Sequence, residues 1–78
     1  MNIGMLWFDN SKTPIEAKVE KATRYYLGKY ARAANTCYVH PTMIPEGSVV
    51  SVPGVDVIVS RSVLPNHFWI GVDSLKGG

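Results

Sequence analysis

A chain of 78 residues has room for one domain, because a second would lack a hydrophobic core of its own. Hydrophobic residues make up 46% of the chain, which argues against disorder, and the single cysteine, Cys37, excludes an internal disulfide. One cysteine and two histidines give no zinc-binding spacing, so we expect no metal and no other cofactor. The net charge of +2 is uneven, since residues 12–32 carry six basic and two acidic side chains.

The sequence also bears on location and partners. No apolar run approaches the roughly 20 residues that cross a bilayer, so we expect no membrane partner. The first eleven residues contain no Lys or Arg, as a secretory signal would require, which together with the lone cysteine favours the cytoplasm. A chain this short buries only about 60–65% of its unfolded surface, so association with a second copy or another protein would add needed stability.

The first two elements are a strand and a helix. Residues 3–8, IGMLWF, form an apolar run too short for a normal helix, which predicts a strand covered on both faces. Thr13 and Glu16 fit a capping box around Pro14, and a helix is predicted over about 14–33. An apolar side at helical spacing comprises Ile15, Val19, Ala22, Tyr26, Tyr30 and Ala33. Asn35 is the expected helix stop.

Three further strands follow. TCYVH at 36–40 ends before a proline, and a loop is predicted over 41–48. SVVSVPGVDVIVS predicts two strands around a Pro-Gly turn, and HFWIGV at 67–72 predicts the last strand. The order β-α-β-β-β predicts an α+β domain, a mixed sheet with one amphipathic helix on one face and a parallel crossover between the first two strands. Residues 73–78 are expected to form a flexible tail.

A single helix can cover only one face of the predicted sheet. The opposite face should carry alternate strand residues such as Trp7, Cys37 or Tyr38, and Trp69 or Phe68. An uncovered aromatic face favours a protein partner. The alternatives are that the sheet curls or that the loop at 41–48 folds over this face.

The stretch SRSVLPNHFWIGV joins a polar loop to the last strand. Val63 and Leu64 are expected to tuck under a rim of the sheet. Strand alternation then places His67 and Trp69 on one face. With Arg61 and Asn66 they would form a polar-rimmed aromatic hot spot for a partner, and Trp7 and Tyr38 are further candidate anchors.

One flank of the predicted helix is basic. Spacings of 3, 4, 4 and 3 bring together Lys18, Lys21, Tyr25, Lys29 and Arg32. Segregated positive charge with an aromatic inside it can follow a phosphate backbone, so nucleic-acid binding is an alternative function. The plainer interpretation is a solvated face that keeps a small protein soluble.

Polar residues also follow the first two strands. Asp9 and His40 end these strands, and parallel strands would bring both to one edge of the sheet, near the helix amino terminus. Convergence with Arg61, Asn66 and His67 would permit acid–base hydrolysis, a further alternative. No spacing here is diagnostic, so no catalytic residue is assigned. The free thiol of Cys37, in an apolar strand, is expected to be inert.

Four stretches, LWFD, YYLGKY, CYVHP and SRSVLPNHFWIGV, together resemble a family of short uncharacterised bacterial proteins over residues 6–72. The resemblance implies no activity, cofactor or catalytic residue. From the uncovered aromatic face we predict a small cytoplasmic interaction module rather than an enzyme, one that self-associates through its aromatic sheet face or an edge strand.

Overall fold

The computed structural model describes residues 3–45 and 48–73. Its elements in chain order are β1 (Ile3–Phe8), α1 (Ile15–Tyr30), β2 (Thr36–Val39), a single 3₁₀ turn (Pro41–Met43), β3 (Asp56–Val59) and β4 (His67–Val72). One helix against a mixed four-stranded sheet confirms the predicted α+β class. The tail predicted at 73–78 lies, from residue 74 onward, outside the described residues.

The sheet is built around its last strand. The strand order is β1-β4-β2-β3, with β4 antiparallel to both of its neighbours and β2 parallel to β3. The predicted crossover from β1 to β2 does join strands of the same direction, but β4 lies between them. Two fully buried β4 side chains, Phe68 and Ile70, explain this position, because a central strand has both neighbours to exclude water.

The core lies between α1 and the sheet. Val19, Ala22 and Tyr26 of the predicted apolar helix side are fully buried, and they pack with Phe68 and Ile70. The β2 side chains Cys37 and Val39 complete this layer. Tyr30 and Ala33 of the predicted side are exposed, because the helix ends at Tyr30.

Both helix ends differ from the prediction. The cap residue is Pro14, with no side-chain hydrogen bond, and Thr13 Oγ1 lies 2.9 Å from Ser11 Oγ instead. At the other end Ala31 adopts a left-handed φ of 54°, and its N–H donates to the Leu27 carbonyl at 2.8 Å. The helix therefore ends at Tyr30, five residues before Asn35, which has a different role.

Asn35 fastens the far end of the sheet. Its Oδ1 accepts from the Asp73 N–H at 2.8 Å, and its Nδ2 donates to the Asp73 carbonyl at 3.2 Å. Its own carbonyl accepts from the Asp56 N–H at 2.9 Å. One side chain and one peptide unit thereby tie together the ends of β2, β3 and β4.

The region predicted as a hairpin forms only one strand. Val52 and Val55 make an isolated bridge around Pro53-Gly54, and Gly54 has the φ of 77° that a type II turn requires. Such a turn does not match the twist of a two-residue hairpin, and β3 pairs instead with β2. Met43 and Ile44 pack against the core on the helix side, so the described part of the loop at 41–48 does not fold over the opposite face.

Burial of Cys37 gives a testable pH dependence. Desolvation raises the pKa of its thiol from 9.0 to about 12, which accords with the prediction of an inert thiol. Between pH 9.0 and about 12, the thiol is therefore ionised in the unfolded chain but still protonated in the folded chain. We expect the free energy of unfolding to fall through that window by up to about 1.4 kcal/mol per pH unit more than in Cys37→Ala.

Urea titrations of both proteins at several pH values above 8 measure this difference. Equal slopes for the two proteins would show that the thiol ionises alike in the folded and unfolded chains. A thiol reagent gives a second readout, since labelling of Cys37 is expected to require unfolding.

Candidate interaction face

The sheet has a second face, opposite α1, that we call the open face. Strand alternation assigns to it the side chains of Leu6, Phe8, Tyr38, Ile58, His67 and Trp69. Four of them form one row across the whole sheet, because Leu6 pairs with Trp69, Trp69 with Tyr38, and Tyr38 with Ile58. The same alternation adds the buried Thr36 and the exposed Asp56, which at the β3 edge carries the one acidic group among these side chains.

The open face is most exposed at β1. Leu6 and Phe8 are each 57% exposed, and Trp69 is 38% exposed, whereas Tyr38 and Ile58 are half-buried. The prediction that β1 is covered on both faces is therefore wrong. Its apolar run reflects one face that packs against α1 and another on which Leu6 and Phe8 stay more than half exposed.

Trp69 lies across the neighbouring strand. A Cβ built on Gly4 would collide with the indole ring of Trp69, so the ring occupies the space that a side chain at Gly4 would fill. A glycine inside a strand often marks such a close approach. The indole is thus held flat over β1, and Gly4 is required for that position.

The loop before β4 covers the other half of the open face. Val63 is buried although it lies outside the core cluster under α1. With Ser60 and Ser62 it borders a shallow cavity of about 330 Å³ that Leu6, Tyr38 and Trp69 also line. The predicted tuck is right for Val63 and wrong for Leu64, which is exposed. Coverage by this loop leaves the β1 half as the open part.

The polar rim expected for the hot spot is divided. His67 stacks on Phe8 with ring centroids 5.0 Å apart, and its Nδ1 lies 2.9 Å from the Pro65 carbonyl. Asn66 adopts a φ of 65° and its carbonyl accepts from the Asp9 N–H, so it shapes the loop end. Arg61 is exposed on the same loop. A partner-binding role for these residues stays a prediction.

Trp7 lies on the side opposite to the one predicted. Its ring contacts Tyr25 of α1 with centroids 5.0 Å apart, and it packs against the core. The indole N–H is buried and has no hydrogen-bond partner among the described residues. The register explains the difference: Trp7 is opposite Phe68, and both side chains therefore point toward α1.

Asp9, His40 and His67 do lie at one end of the sheet, but their side chains serve separate turns. Asp9 lines a cavity on the helix side with Lys21 and Arg24, and neither histidine borders it. Hydrogen bonds from Ser11 lower the pKa of Asp9. The His40 ring accepts from the Thr42 N–H at 3.2 Å and so caps the 3₁₀ turn.

In the part of the chain that the structure describes, no three His, Cys, Asp or Glu side chains come together as a metal site. The same residues contain no helix long and apolar enough to span a membrane.

The basic flank of α1 is shorter than predicted. Lys18 is only 6% exposed, and its Nζ lies 3.4 Å from the Asp9 carbonyl, so it is not part of an exposed stripe. Arg32 lies beyond the left-handed Ala31 and is off the helix. Lys21, Tyr25 and Lys29 keep exposed positions on α1. Helical spacing alone placed Lys18 on the basic flank. Spacing does not show that the long stem of a lysine can lie along apolar surface and become buried.

Comparison of the chain with protein-family models, curated proteins and solved structures found no match in any of the three. The resemblance to a family of short bacterial proteins therefore stays a prediction.

Sequence reasoning missed Gly4, Leu6 and Phe8 as contributors to the open face. An unbroken apolar run does not show which of its alternate residues meets the helix. The available signal was the glycine, since an isolated glycine in a strand pattern indicates a bulge or a close approach of other atoms to the backbone. That signal does not identify Trp69 as the residue that approaches.

The contact between Trp69 and Gly4 can be tested by a double-mutant cycle. We expect Gly4→Ala to lower the free energy of unfolding by about 1–3 kcal/mol, because the new methyl group displaces the indole. In a Trp69→Leu background the same change should cost much less. Urea unfolding of the four proteins measures the coupling, and additive effects would show that the two residues do not share this space.

Proposed function

We propose that this protein is a small assembly module that self-associates through the β1 half of the open face. The observation that carries the proposal is the exposure of Leu6 and Phe8, both 57%, on a face that no described segment covers at this position. Trp69 adjoins them through its pairing with Leu6. Together they give a continuous apolar surface of the kind that marks interaction sites in small proteins.

The energetic support is the surface that association would remove from water. Fully burying a leucine or phenylalanine side chain contributes about 1.5–3 kcal/mol. Burying the exposed halves of Leu6 and Phe8 would thus contribute on the order of 1 kcal/mol each in every copy, before the entropy cost of association. A two-fold arrangement doubles this contribution because both copies supply the same residues.

The size of the protein points the same way. One helix and four strands supply a single core layer, and a domain near 80 residues has a small stability margin. Its lone cysteine is buried, so covalent crosslinks contribute no stability. Association with a second copy is one of the means by which small domains gain stability.

The two alternative functions have weaker support. Nucleic-acid binding loses Lys18 and Arg32 from the predicted stripe, and the positions left, Lys21, Tyr25 and Lys29, are few for a phosphate backbone. Hydrolysis needs Asp9 to meet a histidine, and these side chains border different surfaces.

Leu6→Lys tests the proposal, with Leu27→Lys as the matched control. Leu27 is similarly exposed, at 50%, but lies on α1. We expect wild type and Leu27→Lys to sediment as oligomers at about 100 μM, and Leu6→Lys to weaken association at least tenfold by burying a charge. Phe8→Lys should act in the same direction.

Circular dichroism at the same concentration establishes that each variant is folded. A wild-type protein that stays monomeric at the highest concentration would contradict self-association. An equal loss in Leu6→Lys and Leu27→Lys would show that the open face has no special part in it.

A further inference from the structure

Resting on the proposed function, we propose that the partner is a second copy of this chain that docks edge to edge. Strand β1 would pair antiparallel with β1 of the partner subunit, and a two-fold axis would pass through Leu6. The two sheets would then form one continuous sheet with both open faces on the same side. Backbone hydrogen bonds would fix the geometry, and Leu6 and Phe8 would supply the apolar contact.

One side of the β1 backbone faces away from β4 and pairs with no described strand. The only described strand that pairs with β1 is β4, which places β1 at an edge of the sheet. Just beyond β1, the Asp9 N–H donates to the Asn66 carbonyl at 2.9 Å. In an antiparallel ladder, alternate residues bond to the neighbour, so Met5 and Trp7 bond toward β4 as Asp9 does. The N–H and C=O groups of Gly4, Leu6 and Phe8 therefore point outward.

These three residues define one register above the others. They are evenly spaced with Leu6 at the centre, so pairing Leu6 with Leu6 of the partner subunit also pairs Gly4 with the partner subunit's Phe8. Every outward N–H and C=O group of the three then finds a partner. A shift of two residues leaves the groups of Gly4 or Phe8 without one, and a shift of one residue would set these outward groups opposite Met5 and Trp7, whose groups already bond to β4.

Side chains fit the same register. Leu6 would meet its own copy, and the large exposed ring of Phe8 would lie opposite the small Gly4 of the partner subunit. Trp69 of each copy lies over its own Gly4, so the partner's Phe8 would meet the edge of that indole. Aromatic pairs across neighbouring strands stabilise a sheet. Phe8 and the side-chain-free Gly4 stand at equal distances from Leu6, so this register places each Phe8 beside the partner's Trp69 rather than opposite another strand side chain.

The composition of the two edges favours β1 over β3. Soluble proteins protect edge strands with charged residues, prolines or bulges, and residues 3–8 contain no charge and no proline. β3 is shorter, at four residues, and begins with the exposed Asp56. The uncharged six-residue strand β1, which includes the exposed Leu6 and Phe8, is therefore suited to pair with another strand.

Single-cysteine crosslinking tests the register. In Leu6→Cys the two new thiols would sit on Cα atoms about 5.5 Å apart, within disulfide range, whereas in Phe8→Cys they would lie roughly 14 Å apart. We expect mild oxidation to produce a crosslinked dimer at least tenfold faster with Leu6→Cys than with Phe8→Cys. Wild type, whose Cys37 is buried, is the control and should not crosslink.

Amide hydrogen exchange of the wild-type protein provides a readout that needs no substitution. We expect the amides of Gly4, Leu6 and Phe8 to gain at least tenfold protection between dilute and concentrated samples. Met5 and Trp7, which already bond within the subunit, serve as the internal reference. Unprotected amides at Gly4, Leu6 and Phe8 in a sample that sediments as a dimer would overturn the edge-to-edge arrangement.

The outcomes separate the two proposals. A dimer whose Phe8→Cys variant crosslinks as fast as Leu6→Cys would overturn the Leu6-centred register and leave self-association through the open face in place. A monomer at all concentrations, with no crosslinking of either variant, would overturn both.

Discussion

The structure depends on one helix covering one face of a four-stranded sheet. In β4 the consequence is visible from residue to residue: Phe68 and Ile70 are fully buried under α1, while Trp69 between them is 38% exposed. Alternation along a strand makes this unavoidable, because a strand that supplies side chains to a core supplies as many to the other face. The loop around Val63 covers part of that other face, and the β1 half with Leu6 and Phe8 remains.

Insertion of β4 between β1 and β2 links the two ends of the described chain. β1 bonds to β4 and to no other described strand, so the N-terminal strand has its sheet partner only when the C-terminal strand is in place. The same insertion leaves β1 at an edge and sets which of its backbone groups point outward. The edge and the apolar surface beside it thus have one origin, the central position of β4, and we infer that self-association uses them together.

Elements defined by local patterns were predictable, and features set by distant contacts were not. The bounds of β1 and β4 and the burial of Val19, Ala22 and Tyr26 follow from the spacing of apolar residues. The face that Trp7 occupies does not, because it depends on the register with β4, more than 50 residues away in the chain. Likewise, a basic residue at helical spacing gave no sign that Lys18 would reach the Asp9 carbonyl.

The candidate site shows the same division. His67 and Trp69 were placed together by alternation, and the register confirms that placement. Gly4 could be interpreted only once Trp69 was known to cross it, and the exposure of Leu6 and Phe8 depended on which face α1 covers. The helix end was also beyond sequence rules, because the left-handed cap falls on Ala31, a residue type that seldom adopts it.

The central claim is that assembly stabilises this fold of one helix on one sheet. It is tested most directly by the dependence of stability on protein concentration. Binding between folded copies shifts unfolding by mass action, so the midpoint of urea unfolding should rise as the protein concentration is raised from about 1 to 100 μM. A rise in wild type that disappears in Leu6→Lys is the predicted result. A midpoint that stays the same at every concentration would contradict the account.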